Sequence, residues 1–216
     1  MRSVTAALVV IRRGLFFLVV GIAAGGLSAE AAILDQEFDP NPGSLEAHNG
    51  LLYRAQTFTV GKAGKLAAVA PYMGGIGSST FEIWPTAGGI PFPVPTQPLA
   101  TTTLNYATGS TQIRDFVPWD VSSANIQVQV GDVLAIVQIG NSHTGTGSWW
   151  GVSADLYSGG AGFTTITTAP TGDWMGLNWD LGFQTYVEGV PEPAALLLSA
   201  FGLTVVGMRR RSRWRL

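Results

Sequence analysis

The sequence predicts an all-β protein whose body is an antiparallel β-sandwich, with a jelly roll as the preferred topology and an immunoglobulin-like sandwich as its rival. Three observations lead there. Glycine occurs 28 times and proline 12 times in 216 residues, so turns must be frequent. Between those breakers lie about ten short apolar segments, the usual strand length. Nothing in the body repeats at the 3.6-residue period of an amphipathic helix.

The body occupies 32–189, and its strands can be taken in order. Segment 55–60, with its threonines, Phe58 and Val60, reads as a strand. A second covers 65–73 and ends at the turn formers Gly74 and Gly75. A third runs over 80–84 and is expected to stop at Pro85, which lacks a ladder donor. The stretch 88–98 holds Pro91, Pro93, Pro95 and Pro98 and is expected to be a loop of polyproline character. Strands follow over 99–104 and 112–117. Ile126, Val128 and Val130 alternate with Gln127 and Gln129, the plainest half-buried pattern in the chain, and Gly131-Asp132 makes a tight turn after it. The run 133–139 is apolar almost throughout and predicts a central strand. Segments 149–153, 163–168 and 182–187 complete the set, while the Gly-, Asp- and Asn-containing stretch 171–180 reads as a loop.

Both flanks differ in character from the body. At the start, Arg2, Arg12 and Arg13 precede an apolar stretch over 15–27 and then the small residues Ser28 to Ala32. That order is the three-part pattern of an export signal, here 1–31, with cleavage after Ala29 or Ala31. An uncleaved anchor helix is the other reading. Arg12-Arg13 resembles a twin-arginine signal, but Ile11 stands where that signal carries a polar residue, which favours the general secretory route. At the end, Val190-Pro191-Glu192-Pro193 precedes an apolar run over 194–208 and then Arg209, Arg210, Arg211, Arg213 and Arg215. An apolar helix closed by arginines stops in a membrane with the arginines on the cytoplasmic side. At about 1.5 Å per residue the run reaches roughly 22 Å, short of the ~30 Å hydrocarbon core, so the anchor is weak and suited to a temporary role.

The ordered set of Pro-Glu-Pro, apolar helix and terminal arginine cluster over 190–216 resembles the PEP-CTERM sorting signal. The resemblance implies a bacterial exopolysaccharide producer and a membrane-embedded processing enzyme, an exosortase, that acts near Val190, Pro191, Glu192 and Pro193. It implies transient residence in the inner membrane, then the cell surface or the extracellular matrix. The prolines fit such a role physically, because they fix φ and bias their neighbours towards extended backbone. An ordinary tail anchor, with prolines that only open the helix, is the simpler alternative. In the body, Gln56-Thr57-Phe58-Thr59-Val60, Glu82-Ile83-Trp84-Pro85 with Gly88-Gly89-Ile90-Pro91, Val130-Gly131-Asp132-Val133, Trp149-Trp150-Gly151 and Leu181 to Val187 resemble secreted bacterial jelly-roll domains, which have the architecture of carbohydrate-binding modules.

Charge and composition narrow the function. Between 32 and 189 there are four basic residues against twelve acids, a balance of −8. Phosphate backbones need a basic surface, so nucleic acid is not an expected partner. The absence of cysteine excludes disulfides, thiolate zinc sites and cysteine nucleophiles. No cofactor motif is present: the glycine–lysine stretch 61–65 lacks phosphate-loop spacing, and Ser148 follows Gly147 directly, which fails the nucleophile-elbow pattern. The two histidines, His48 and His143, lie in polar segments read as loops.

Two constellations remain. Asp35, Glu37 and Asp39 alternate, so a regular strand would project all three from one face, where hard oxygens could hold calcium. Pro40 occupies the place of the glycine an EF-hand requires, and a solvated strand face is the simpler account. Tryptophan is enriched, and Trp150, Trp174 and Trp179 are the candidates for a sugar-stacking platform, against a role in core packing. The resulting expectation is an exported, non-catalytic surface or matrix protein in contact with exopolysaccharide. The alternatives are a secreted glycan hydrolase with a carboxylate pair, or a structural biofilm protein without a small ligand.

Overall fold

The computed structural model describes residues 31–40, 45–47 (backbone only), 52–91, 97–109, 113–140, 142–165 and 173–189. The export signal, His48, the sorting motif Val190 to Pro193 and the terminal arginines lie outside them. Among the described residues no helix is long and apolar enough to cross a membrane.

The described chain is all-β and its pairings are antiparallel. In order the strands are β1 (Ile33–Phe38), β2 (Leu45–Ala47), β3 (Arg54–Thr59), β4 (Gly64–Gly74), β5 (Ile76–Ala87), β6 (Ile90–Pro91), β7 (Ala100–Ala107), β8 (Arg114–Phe116), β9 (Trp119–Asp120), β10 (Gln127–Val128), β11 (Val133–Gln138), β12 (Thr144–Gly145), β13 (Ser148–Val152), β14 (Gly162–Thr165), β15 (Trp174–Leu177), β16 (Asp180–Leu181) and β17 (Phe183–Gly189). The first sheet is built on β4. One flank of β4 pairs with β17 and then β13, the other with β10, β9 and β8; β1 lies outside β17. The second sheet runs β7-β5-β11-β3-β14-β15.

The two sheets share one core. Leu66, Val69, Met73, Trp149, Phe183 and Val187 of the first meet Phe58, Phe81, Ile83, Leu104, Leu134 and Ile136 of the second, which makes the body a sandwich. Phe81 and Trp149 meet edge to face at 5.3 Å, and Phe58 and Phe183 lie 5.8 Å apart. Each such ring contributes roughly 1.5–3 kcal/mol by leaving water, the dominant support in a chain without disulfides. Gly75 carries the chain from β4 in one sheet to β5 in the other in a single residue. Its φ of +90° and the nearby Gly147 backbone leave no room for a side chain.

Several elements differ from expectation for local reasons. β5 does not stop at Pro85 but continues to Ala87. Odd residues of β5 turn their N–H towards β7, whose pairing ends at Ile83–Ala100, so among the described residues the Pro85 nitrogen faces no ladder acceptor. The segment around 126–130 places Ile126 and Val128 in the core, yet only Gln127 and Val128 pair, and Val130 is 66% exposed at the turn made by Gly131, φ +92°. The expected 171–180 loop contains β15, its whole link to β16 and the first residue of β16. Within 88–98, Ile90–Pro91 pairs back on β5, and 92–96 lie outside the described residues.

Candidate functional site

The outward face of the second sheet gathers the groups best suited to recognise a ligand. Alternation sends Phe81 and Ile83 inward from β5 and therefore Thr80, Glu82 and Trp84 outward. Register sets Thr103 opposite Thr80, their hydroxyls 3.0 Å apart, and Thr101 opposite Glu82. The Glu82 carboxylate is fixed from two sides: Trp84 Nε1–H donates to Oε2 at 2.7 Å and Thr101 Oγ1–H to Oε1 at 3.3 Å. Beside it lies a second apolar cluster of Ala55, Trp84, Ala135, Val137 and Phe163, against which Tyr53 and Trp174 pack half-buried. Burial, and then the Glu82 charge, raise the Tyr53 hydroxyl above its ordinary pKa, so it stays a neutral donor.

This face therefore offers aromatic edges, one oriented carboxylate and a row of exposed hydroxyls. Such a set can accept and donate hydrogen bonds to the hydroxyls of a neutral polyol. Glu82 is the only carboxylate among the described strands of the second sheet.

The three predicted tryptophans do not form one platform. Trp149 and Trp150 do point to opposite faces, as adjacent strand residues must. Trp149 is inside, its Nε1–H donating to the Gly182 carbonyl at 2.7 Å. Trp150 faces out from the first sheet, but the Arg114 guanidinium lies 3.6 Å from its ring centroid and leaves it 8% exposed. Trp179 packs against the main core with the Arg54 guanidinium 5.4 Å from its ring. Trp174 alone lies on the second sheet's outer face. The Nε1 groups of Trp174 and Trp179 are buried without an acceptor among the described residues.

Asp35, Glu37 and Asp39 are not gathered either. A register shift between Leu34 and Gln36 breaks the alternation at Asp35. Asp35 then accepts from Gly61 N at 3.1 Å, while Glu37 accepts from Gln184 Nε2 at 2.7 Å. Among the described residues no three potential metal ligands converge.

Sequence reasoning missed a serine–histidine contact. His143 Nδ1 lies 3.0 Å from Tyr106 Oη and 3.2 Å from Ser79 Oγ, while Nε2 faces the Gly145 carbonyl at 3.2 Å. A proton on Nε2 satisfies that carbonyl and leaves Nδ1 to accept, an assignment made from the network. Ser79 is fully buried, and its other partner is the amide of Gln138 rather than a carboxylate. The contact ties the β12 segment to β5; it lacks the access and the third group that an activated nucleophile needs. The residues are far apart in sequence and carry no motif, so only the fold could reveal it.

On the flank of the sandwich an open groove of about 470 Å³ runs between the end of β7 and the β8 segment, lined by Asn105, Thr108, Ile113, Arg114, Asp115 and Phe116. A comparison of the chain with protein-family models finds no match, and a comparison with curated proteins finds none either.

Proposed function

We propose that this protein is an exported, non-catalytic component of the bacterial surface or extracellular matrix, sorted through its C-terminal signal and released or attached outside as a folded body that touches exopolysaccharide. The observation that carries this reading is the ordered C-terminal triple, Pro191-Glu192-Pro193, apolar run and arginine cluster. The geometry of the body supports it: β1 starts at Ile33 and β17 ends at Gly189, and the two strands pair side by side. Removal of a signal through Ala31 and of the tail from Val190 onward would leave every described strand in place. The partner in sorting is an exosortase-type enzyme in the inner membrane, and no cofactor is required.

We read the sandwich as a jelly roll, because the chain changes sheet at β2–β3, β3–β4, β4–β5, β7–β8, β10–β11, β12–β13, β13–β14 and β15–β16 rather than completing one sheet first. The acidic balance of the body and the hydroxyl-lined face around Glu82 favour contact with a glycan over contact with nucleic acid.

The test of sorting is a pulse-chase in the native host with Glu192→Ala and with the five tail arginines replaced by Gln. The wild type should leave the inner membrane, and both variants should accumulate there. Release of all three at the same rate would overturn the sorting reading.

A further inference from the structure

β7 is the outer strand of the second sheet, and its free edge is built for strand addition. Among the described residues, β5 alone pairs with it. The bond from Thr108 N to the Gly75 carbonyl, at 2.9 Å, fixes the ladder's phase. Residues 100, 102, 104 and 106 exchange bonds with β5, so Thr101, Thr103, Asn105 and Ala107 turn their N–H and C=O outward. Those same four residues are the exposed ones.

Other sheet edges carry features that discourage pairing. β1 bears Asp35 and Glu37 and an irregular register, and β15 has only four residues. β7 has eight residues in the sequence Ala-Thr-Thr-Thr-Leu-Asn-Tyr-Ala, with no charge, no proline and no glycine. Natural edges are blunted by lysine, proline or bulges, and β7 within these bounds has none of the first two.

We infer that β7 is a self-association edge, at which a second copy of this chain adds its own β7 antiparallel about a two-fold axis. This goes beyond the proposed surface role and does not depend on it. The occupant follows from the strand's own chemistry. An uncharged strand meets its copy without repulsion, and a two-fold axis at Thr103 sets Thr103 against Thr103 and Thr101 against Asn105, all compatible cross-strand pairs. Each outward N–H and C=O from Thr101 to Asn105 then finds a partner. The two second sheets become one continuous sheet, and the outer faces around Glu82 lie on the same side of it.

The chain has no cysteine, so single substitutions report contacts cleanly. Full-length protein is purified in detergent as Thr103→Cys, Thr101→Cys and Asn105→Cys and mildly oxidised. Residues directly opposite in a bonded antiparallel pair have Cα atoms about 5.5 Å apart, within disulfide range. The expected result is a covalent dimer of Thr103→Cys alone, little from either other variant alone, and a mixed dimer when Thr101→Cys and Asn105→Cys are combined. Thr103→Pro, which removes an outward N–H and the exposed hydroxyl contact to Thr80 but no ladder bond to β5, should lose the non-covalent dimer in sedimentation while its melting temperature stays near that of the wild type. Wild-type protein that sediments as a monomer at all concentrations, or cross-linking that is equal at the three sites, would overturn the inference. A Thr103→Pro variant that folds and still dimerises would do the same.

Discussion

The Arg114 guanidinium lies over Trp150, 3.6 Å from the ring centroid, on the outer face of the first sheet. Gly74 lies against the edge of the indole, where any side chain would meet its nitrogen and the Arg114 stem. A tryptophan that looks available for sugar stacking in the sequence is thus enclosed by one cation and one glycine. Arg114→Ala should expose the indole, raise its quenching by acrylamide, and cost about 1 kcal/mol in urea unfolding, the usual size of a half-desolvated cation–π pair. Arg114→Lys should restore only part of it, since a flat guanidinium stacks better than an ammonium.

Asp180 organises a buried network that joins β3, β16 and the connection before β14. Its Oδ2 accepts from Leu156 N at 2.6 Å and Tyr157 N at 2.8 Å, and Oδ1 accepts from Gln56 Nε2 at 3.2 Å. Asp180→Ala should destabilise the body by about 3 kcal/mol, because several buried donors lose their acceptor. Burial raises this carboxyl above its ordinary value, against the opposing pull of those N–H groups. Folding therefore favours the protonated form. The contribution from that shift is full below about pH 4 and is lost as pH rises through the raised value, so the gap between wild type and Asp180→Ala should narrow from acid to neutral pH. A gap that widens would contradict the assignment.

Tyr157 predicts behaviour at the alkaline end. Burial first, and then Asp35 and Asp180, push its hydroxyl up to about 12 from 10.0, although a backbone hydrogen bond at Thr59 pulls the other way. The unfolded chain releases this proton near the ordinary value and the folded chain does not. Stability should be intact below pH 10 and fall by on the order of 2–3 kcal/mol as pH approaches 12. Tyr157→Phe lacks that slope. It should start about 1 kcal/mol lower at neutral pH through loss of the bond to Gln36, 3.0 Å long, and the two urea-midpoint curves should cross in alkali, with the variant the more stable as pH approaches 12.

The glycan reading makes its own prediction at the second sheet. Binding to exopolysaccharide from the host, measured by co-sedimentation, should weaken about tenfold with Trp174→Ala and with Glu82→Gln, which retains the side chain's shape. Trp150→Ala should have little effect, because its ring face is already occupied by Arg114. Equal binding by all three variants would place the contact elsewhere.

Much of the fold was legible because strand alternation is a local signal. The central position of β11, the turn at Gly131 and the corner at Gly75 follow from apolar runs and glycine placement that need no knowledge of partners. Pro85 misled because its cost depends on which side of the strand its nitrogen faces and whether a neighbour reaches that far, and both follow from the pairing with β7. Asp35 misled because a bulge is a property of two strands together, and β17 lies about 150 residues away. The Glu82 face was hidden for a related reason. Glu82 and Trp84 are close in sequence, but Thr101, Tyr53 and Trp174 join them only through strand pairing.

The most direct measurement is the intact mass of the protein recovered from its native cells, fraction by fraction. The account predicts that the exported form lacks both the N-terminal signal and the arginine-bearing tail, with a mass that matches a body from about Ala32 to the region of Val190. A mature chain that still ends at Leu216 and stays in the inner membrane would contradict it.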